Sequence, residues 1–215
     1  MLIHPWDASS DQEWREWLGE HQFGQLIAVD ADVKPIVVPA PFVFADDRIL
    51  LHLARPNPIW PALELRGEAT LTVVDGYAHI PGTWRPPDDA PPSDGVPTEY
   101  YAAVQVAGPV DLVDDPAAKA DLLRQQMTSY GMTEDHATIA PNTAPYGRQL
   151  SGIRGIVLHI HEVRAKFKYD DKRTVETQRA IAAKLAARNE DRDREARRQQ
   201  LRRLEIRTND ARSEK

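Results

Sequence analysis

Three short strings between residues 51 and 108 gather the side chains best equipped for ligand chemistry. The first is Leu51-His52-Leu53-Ala54-Arg55-Pro56-Asn57-Pro58. The planar guanidinium of Arg55 has fixed donors that match a phosphate group, and the Asn57 amide adds another. His52 either supplies one more donor or packs, and Arg55 alone would read as a surface ion pair. The second string is Tyr77-Ala78-His79-Ile80-Pro81-Gly82-Thr83-Trp84. Tyr77, His79 and Trp84 offer flat faces and donors beside a planar ring, or they cover the open end of a barrel. The third is Val96-Pro97-Thr98-Glu99-Tyr100-Tyr101-Ala102-Ala103-Val104. Its hydroxyls suit a polyhydroxyl chain or a partner subunit, and the plainer reading is an ordered loop running into a strand. Each string ends or begins a β-like run, where a barrel-type sheet presents a ligand at its rim.

Other chemistry is poorly supported. His159 and His161, two apart on one strand, would share a face, but Glu162 would point the other way and no third metal ligand is near. They read as the polar face of a half-buried strand. His136, beside Glu134 and Asp135, reads as a polar loop. There is no local Ser-His-Asp arrangement, phosphate loop or Gly-x-Gly-x-x-Gly pattern. No residue stands out as a general acid or base; His79 and Tyr77 are the best placed by reach. No metal site is expected.

The elements that would position these strings are mostly strands. Ser10-Asp11-Gln12-Glu13 reads as a capping box opening a helix, with Trp14, Trp17, Leu18 and His21 on one face. Strands are expected over 25–29, 34–44, 48–54, 69–74 and 101–113, with prolines marking 34–44 as an edge strand. Asp75-Gly76 suggests a hairpin turn before 77–80. A short helix fits 58–65. Residues 81–97 hold six prolines and two glycines and must form an extended loop. Asp115-Pro116 looks like the cap and first residue of a helix to about Tyr130, closed by Gly131. Residues 155–167 read as one long strand, and 174–204 as one helix. With no β–α alternation and no internal repeat, a single antiparallel barrel with peripheral helices accounts for residues 1–185, followed by a charged segment, 186–215.

Composition narrows the setting. The 215 residues include no cysteine, which excludes disulfides, thiolate metal sites and cysteine nucleophiles and fits a cytoplasmic location. No run approaches the roughly 20 apolar residues of a membrane helix, and the N-terminus lacks a signal-peptide pattern. Net charge is −6. Residues 188–215 carry ten basic and seven acidic side chains, a net of +3, leaving −9 elsewhere. The acidic body argues against tight nucleic-acid binding by the barrel. The C-terminal segment reads as a solvated helix fraying into a tail, with a partner contact as the alternative.

In order and spacing the strings resemble the PaiB family of FMN-binding split barrels, also called FMN-binding negative transcriptional regulators. The resemblance covers about residues 1–185. It rests on His52, Ala54, Arg55, Asn57 and Pro58, then Ile80 and Trp84, then Val96, Pro97, Thr98, Tyr101, Val104 and Gly108, and finally Lys166, Phe167, Lys168 and Arg173. Glu99, Tyr100 and Gln105 depart from the family pattern of Trp, Asn and His. The resemblance implies a split-barrel homodimer with FMN in clefts between subunits. Arg55 and Asn57 would hold the phosphate, with His52 a further donor. Tyr77, His79, Thr83 and Trp84 would lie near the ring, and Thr98 and Tyr101 would reach from the second subunit. A regulatory role follows from the family name. The alternatives are a flavin- or deazaflavin-dependent oxidoreductase acting on a small molecule, or a diverged member that binds haem or no cofactor.

Overall fold

The computed structural model describes residues 1–87, 89–132 and 136–213, with side chains as far as Asn209. In chain order the elements are α1 (Asp11–Gly19), β1 (Phe23–Val29), β2 (Pro35–Pro41), β3 (Val43–Ala45), β4 (Arg48–Ala54), α2 (Trp60–Arg66), β5 (Glu68–Ile80), β6 (Thr98–Val113), α3 (Pro116–Ser129), α4 (Tyr146–Gln149), β7 (Ile153–His159), β8 (Glu162–Lys168), α5 (Val175–Arg188) and α6 (Asp193–Ser213). The strands form a sheet ordered β2-β1-β5-β6-β7-β4-β3, with β8 pairing β6. The ladders of β1 with β2 and β5, and of β7 with β4 and β6, are antiparallel. No described helix is long and apolar enough to cross a membrane.

The chain forms two compact units. The first comprises Met1–Ser10, Val74–Ala103 and Ala165–Lys215, and the second Asp11–Val73 and Val104–Arg164. These bounds differ from a division at residue 185. Strands β5 and β6 run from one unit into the other.

In the second unit, α1 buries Trp14, Trp17 and Leu18, the face expected from their spacing. Pro35, Pro39 and Pro41 all fall on alternate residues of β2. Their missing N–H groups therefore lie on one side of the strand, which suits its place at the end of the sheet. Asp46 and Asp47, both at positive φ, turn β3 into β4. Asp115 caps α3 by accepting from the Ala118 N–H, and Gly131 follows the helix at φ 72°. The expected strand over 155–167 is two strands. The chain breaks at Ile160, whose N–H goes to the Asp47 carbonyl, and at His161, whose N–H goes to the Ala107 carbonyl. Gly108 permits this crossing, since a Cβ there would lie 2.0 Å from the His159 carbonyl oxygen. His159 pairs with Asp111 at 2.7 Å instead of joining His161 on one strand face. No group of three His, Cys, Asp or Glu among the described residues is placed to hold a metal. Glu134 and Asp135 lie outside the described residues.

In the first unit, Asp75-Gly76 makes no hairpin. The strand runs straight through, with Gly76 at φ 64° inside β5. The Tyr169 hydroxyl packs so close that a Cβ on Gly76 would lie 2.3 Å from it. The helix expected over 174–204 is two helices. Thr174 caps α5, and Asn189, in the left-handed conformation, ends it. The C-terminal segment is not a solvated tail: Ala196, Gln199, Gln200, Arg203 and Leu204 of α6 are buried. Arg203 donates to Asp171 at 2.6 Å and to the carbonyls of Trp6 and Ala8. Both side chains of this pair are almost fully enclosed, 6% and 1% exposed. Arg203→Ala should therefore strand a buried carboxylate and lower stability by about 3–5 kcal/mol; equilibrium urea unfolding measures it.

Candidate functional site

The sequence candidates divide between the two units. In the second unit, β4 delivers His52 and ends before Arg55. His52 Nδ1 lies 2.7 Å from Gln126 Oε1, a carbonyl acceptor on α3, so this nitrogen carries the proton and the ring is tied to the helix. Asn57 Oδ1 accepts from the Ile59 N–H and turns the chain into α2, so its oxygen is structural and its amide nitrogen is what remains. The Arg55 side chain stays 49% exposed. It donates from Nε to the Ser151 carbonyl at 3.1 Å and from Nη2 to Asp114 Oδ1 at 3.2 Å.

Sequence reasoning missed the rest of this cluster. Arg154 on β7 donates to Asp114 through Nε and Nη2 and to Glu64 Oε1 through Nη1, with the last two contacts at 2.8 and 2.6 Å. Its guanidinium lies 4.8 Å from the Trp60 ring centre, and Trp60 in turn donates to the Ala54 carbonyl. The Asp114 carboxyl is held below the usual carboxylate range, first by hydrogen bonds from Arg154 and then by Arg55. Lys119 on α3 is buried and donates to the Leu150 and Ile153 carbonyls. Burial, and then the charge of Arg55, push its ammonium below the usual lysine value. Only the β4–β7 register, with Leu53 opposite Arg154, brings the two arginines together.

In the first unit, β5 buries Ala78 and Ile80 and turns Tyr77 and His79 outward. His79 Nδ1 is 2.8 Å from Glu99 Oε1 on β6. Hydrogen bonding to Glu99, and then the carboxylate charge, push the Tyr77 phenol above its ordinary value. Tyr101, two residues beyond Glu99, is half-buried with the Lys166 and Lys168 ammonium groups 5.6 and 5.8 Å from its ring centre. Thr98 opens β6 half-buried, and Thr83 is exposed in the loop. Trp84 faces α5, with the Arg188 guanidinium 4.9 Å from its ring centre. Arg188 Nη1 also donates to the His79 carbonyl at 3.0 Å, and Arg192 lies over Tyr77. The turn between α5 and α6 thus closes a cleft of about 400 Å³ lined by Tyr77, Ala78, His79, Arg188 and residues 190–193. Glu99, Lys168, Arg188 and Arg192 were not legible as site residues. The expected neighbours Tyr77 and His79 do come together, and Trp84 joins them only through Arg188.

Residues 1–162 match the model of the family described as "Putative FMN-binding domain". A comparison with curated proteins found no match. Among solved structures, the FAD and heme binding protein from Mycobacterium smegmatis aligns with a TM-score of 0.59 and 17% identity, over 82% of this chain and 79% of its own. The flavocytochrome Anf3 from Azotobacter vinelandii aligns with a TM-score of 0.55 and 19% identity, over 76% of this chain and 70% of its own. At these identities the likeness shows the fold, and it is the mainly β, split-barrel fold with a long C-terminal helix that the sequence led us to expect.

The Glu99 carboxyl is held below its ordinary value, first by the hydrogen bond from His79 and then by Tyr77. Its folded value is thus below its unfolded one. The stability it adds is present above the ordinary carboxylate range and is lost as pH falls through the lowered value. Carboxyl-carbon NMR titration should show the Glu99 midpoint moving up, toward that of a free glutamate, in His79→Ala.

Proposed function

Because the chain belongs to the FMN-binding domain family, we propose that it binds FMN through the residues just described. The donor set fits the parts of the nucleotide. A phosphate needs a guanidinium with open donors, and half-exposed Arg55 presents one. Arg55 and the Asn57 amide would hold the phosphate, with His52 as a further contact. A flavin ring needs flat faces and donors. Tyr77 and His79 offer both; Thr83 and Trp84 would lie near the ring, and Thr98 and Tyr101 would reach it from a second subunit. Bound flavin would supply hydride or single-electron transfer; the protein binds, orients and shields it. The observation that carries this reading is the family match together with the exposed, incompletely bonded guanidinium of Arg55.

The reading extends to a regulatory, PaiB-type protein, supported by the resemblance of its four strings to those of that family. A second reading, a flavin- or deazaflavin-dependent oxidoreductase, is favoured by one observation. Glu99 fixes His79 through Nδ1, which leaves Nε2 open for proton exchange with a small substrate.

We also propose that the protein is a homodimer. Phe23, Gln25, Ile27 and Val29 on β1 stand opposite Pro41, Pro39, Val37 and Pro35 on β2. This face carries no charge, and Phe23 and Val37 are 62% and 50% exposed. Such a patch marks an association surface.

Titration with FMN and with riboflavin, followed by absorbance and fluorescence, tests the cofactor. Saturable FMN binding is expected, and Arg55→Ala should weaken it about 10- to 100-fold while leaving riboflavin unchanged. If no flavin binds, the reading falls, and haem and deazaflavin take its place. Sedimentation velocity tests the assembly: Val37→Glu should convert a dimer to a monomer, and a monomeric parent protein would refute the dimer.

A further inference from the structure

The cluster around Asp114 contains two arginines held in different ways. Arg154 is fully committed. It grips both Asp114 oxygens, reaches Glu64 with its remaining nitrogen and lies over the Trp60 ring. Its side chain is only 12% exposed. Arg55 makes a single contact to the same carboxylate at 3.2 Å, long for a charge-assisted hydrogen bond. Its Nη1 has no hydrogen-bond partner among the described residues, and its Nε is satisfied by the Ser151 backbone regardless of what Nη2 does. Asp114 therefore belongs to Arg154 and shares only an edge with Arg55. If Arg55 let go, the carboxylate would keep its three contacts from Arg154.

We infer that Asp114 is a resident counter-anion for Arg55, and that a phosphate-bearing ligand binds by taking its place on that guanidinium. Its use by a flavin nucleotide rests on the function proposed above; the exchange itself requires only a phosphate group. Physical chemistry favours the exchange in one direction. A phosphate offers several oxygens in the plane of the guanidinium fork, whereas Asp114 meets Arg55 with one. An exposed pair is also loosely held. Lys119 adds a buried positive charge close by, with no carboxylate within ion-pair distance among the described residues. Asp115 and Glu64 lie near the cluster as further negative charges, so the balance of the site depends on which anion Arg55 faces. Asp114 would then weaken phosphate binding in proportion to its charge and sharpen selection for ligands with more than one anionic oxygen.

The first test needs no variant. In the protein labelled with 15N at arginine, inorganic phosphate should shift the Arg55 Nε resonance saturably and leave that of Arg154 unmoved. A shift at Arg154 alone, or no shift at millimolar phosphate, overturns the proposal. The second test measures phosphate, FMN and riboflavin binding calorimetrically. Asp114→Asn keeps the shape and an acceptor oxygen while removing the charge. It should tighten phosphate and FMN about three- to tenfold and leave riboflavin alone. The Arg55→Ala change should abolish that gain in the double variant. If FMN binds the parent protein and Asp114→Asn equally well, the flavin reading stands and the counter-anion falls. If FMN fails to bind but phosphate moves Arg55 and binds Asp114→Asn more tightly, the counter-anion stands and the flavin reading falls. Should Asp114→Asn not fold, the NMR result decides alone.

Discussion

The first unit is organised around the carboxylate of Asp170. Arg85 grips it with two bonds of 2.7 Å, and the Tyr100 hydroxyl donates to it at 3.2 Å. Arg85 also donates to the Val96 carbonyl at 2.6 Å. One enclosed charge pair thus holds both ends of the proline-rich loop, the start of β6 and the chain beyond β8. Buried charges survive only when their bonding is complete, so these partners have little freedom. Tyr100 is pushed above its ordinary phenol value, first by burial and then by Asp170, and remains a neutral donor. Gln200 of α6 donates to the same hydroxyl at 3.3 Å, which brings the C-terminal helix into the arrangement. Since Tyr100 must point inward, its neighbours Glu99 and Tyr101 must point the other way. The outward chemistry of β6 follows from an inward constraint.

The loop that Arg85 anchors is pinched by two glycines. A Cβ on Gly95 would lie 1.8 Å from the Gly82 carbonyl oxygen, and one on Gly82 would lie 2.3 Å from that of Gly95. The two backbones can approach only without side chains, which is how a segment with six prolines is drawn closed between β5 and β6. Thr83 and Trp84 sit within this pinch, so their placement depends on the glycines as much as on their own character.

Features governed by nearest neighbours along the chain were legible. The Asp115-Pro116 helix start and the edge position of β2 both follow from side chains acting on adjacent backbone. What was not legible depends on elements far apart in sequence. Asp75-Gly76 has the composition of a turn, yet Tyr169 packs over Gly76 and the strand continues. The strand over 155–167 breaks because the chain must hydrogen-bond with Asp47 and Ala107. Arg154 joins Arg55 only through a strand register that no local pattern encodes. The charged C-terminus misled for another reason. The inward face of α6 includes Gln199, Gln200 and Arg203, polar residues that hydropathy assigns to solvent but whose hydrogen bonds let them serve as interior.

Two enclosed ion pairs of the scaffold contrast in exposure with two pairs among the candidate ligand residues. Arg85–Asp170, like Arg203–Asp171, is less than one-tenth exposed on either side. Breaking such a pair leaves a charge without water, so it can serve only as a fixed strut. His79–Glu99 is 53% and 42% exposed, and Arg55–Asp114 is similarly open. Water can take over either partner at small cost, so these contacts can be remade around a ligand. In each of these two open pairs one partner, His79 or Arg55, is a residue that the sequence had marked for ligand chemistry. Each also rests on a more enclosed neighbour, Tyr100 between Glu99 and Tyr101 on β6, and Arg154 beside Arg55 at Asp114. A rearrangement at the surface can then occur without loosening the interior. That is what a binding site on a β scaffold requires: groups free to change partners, on strands that are not free to move.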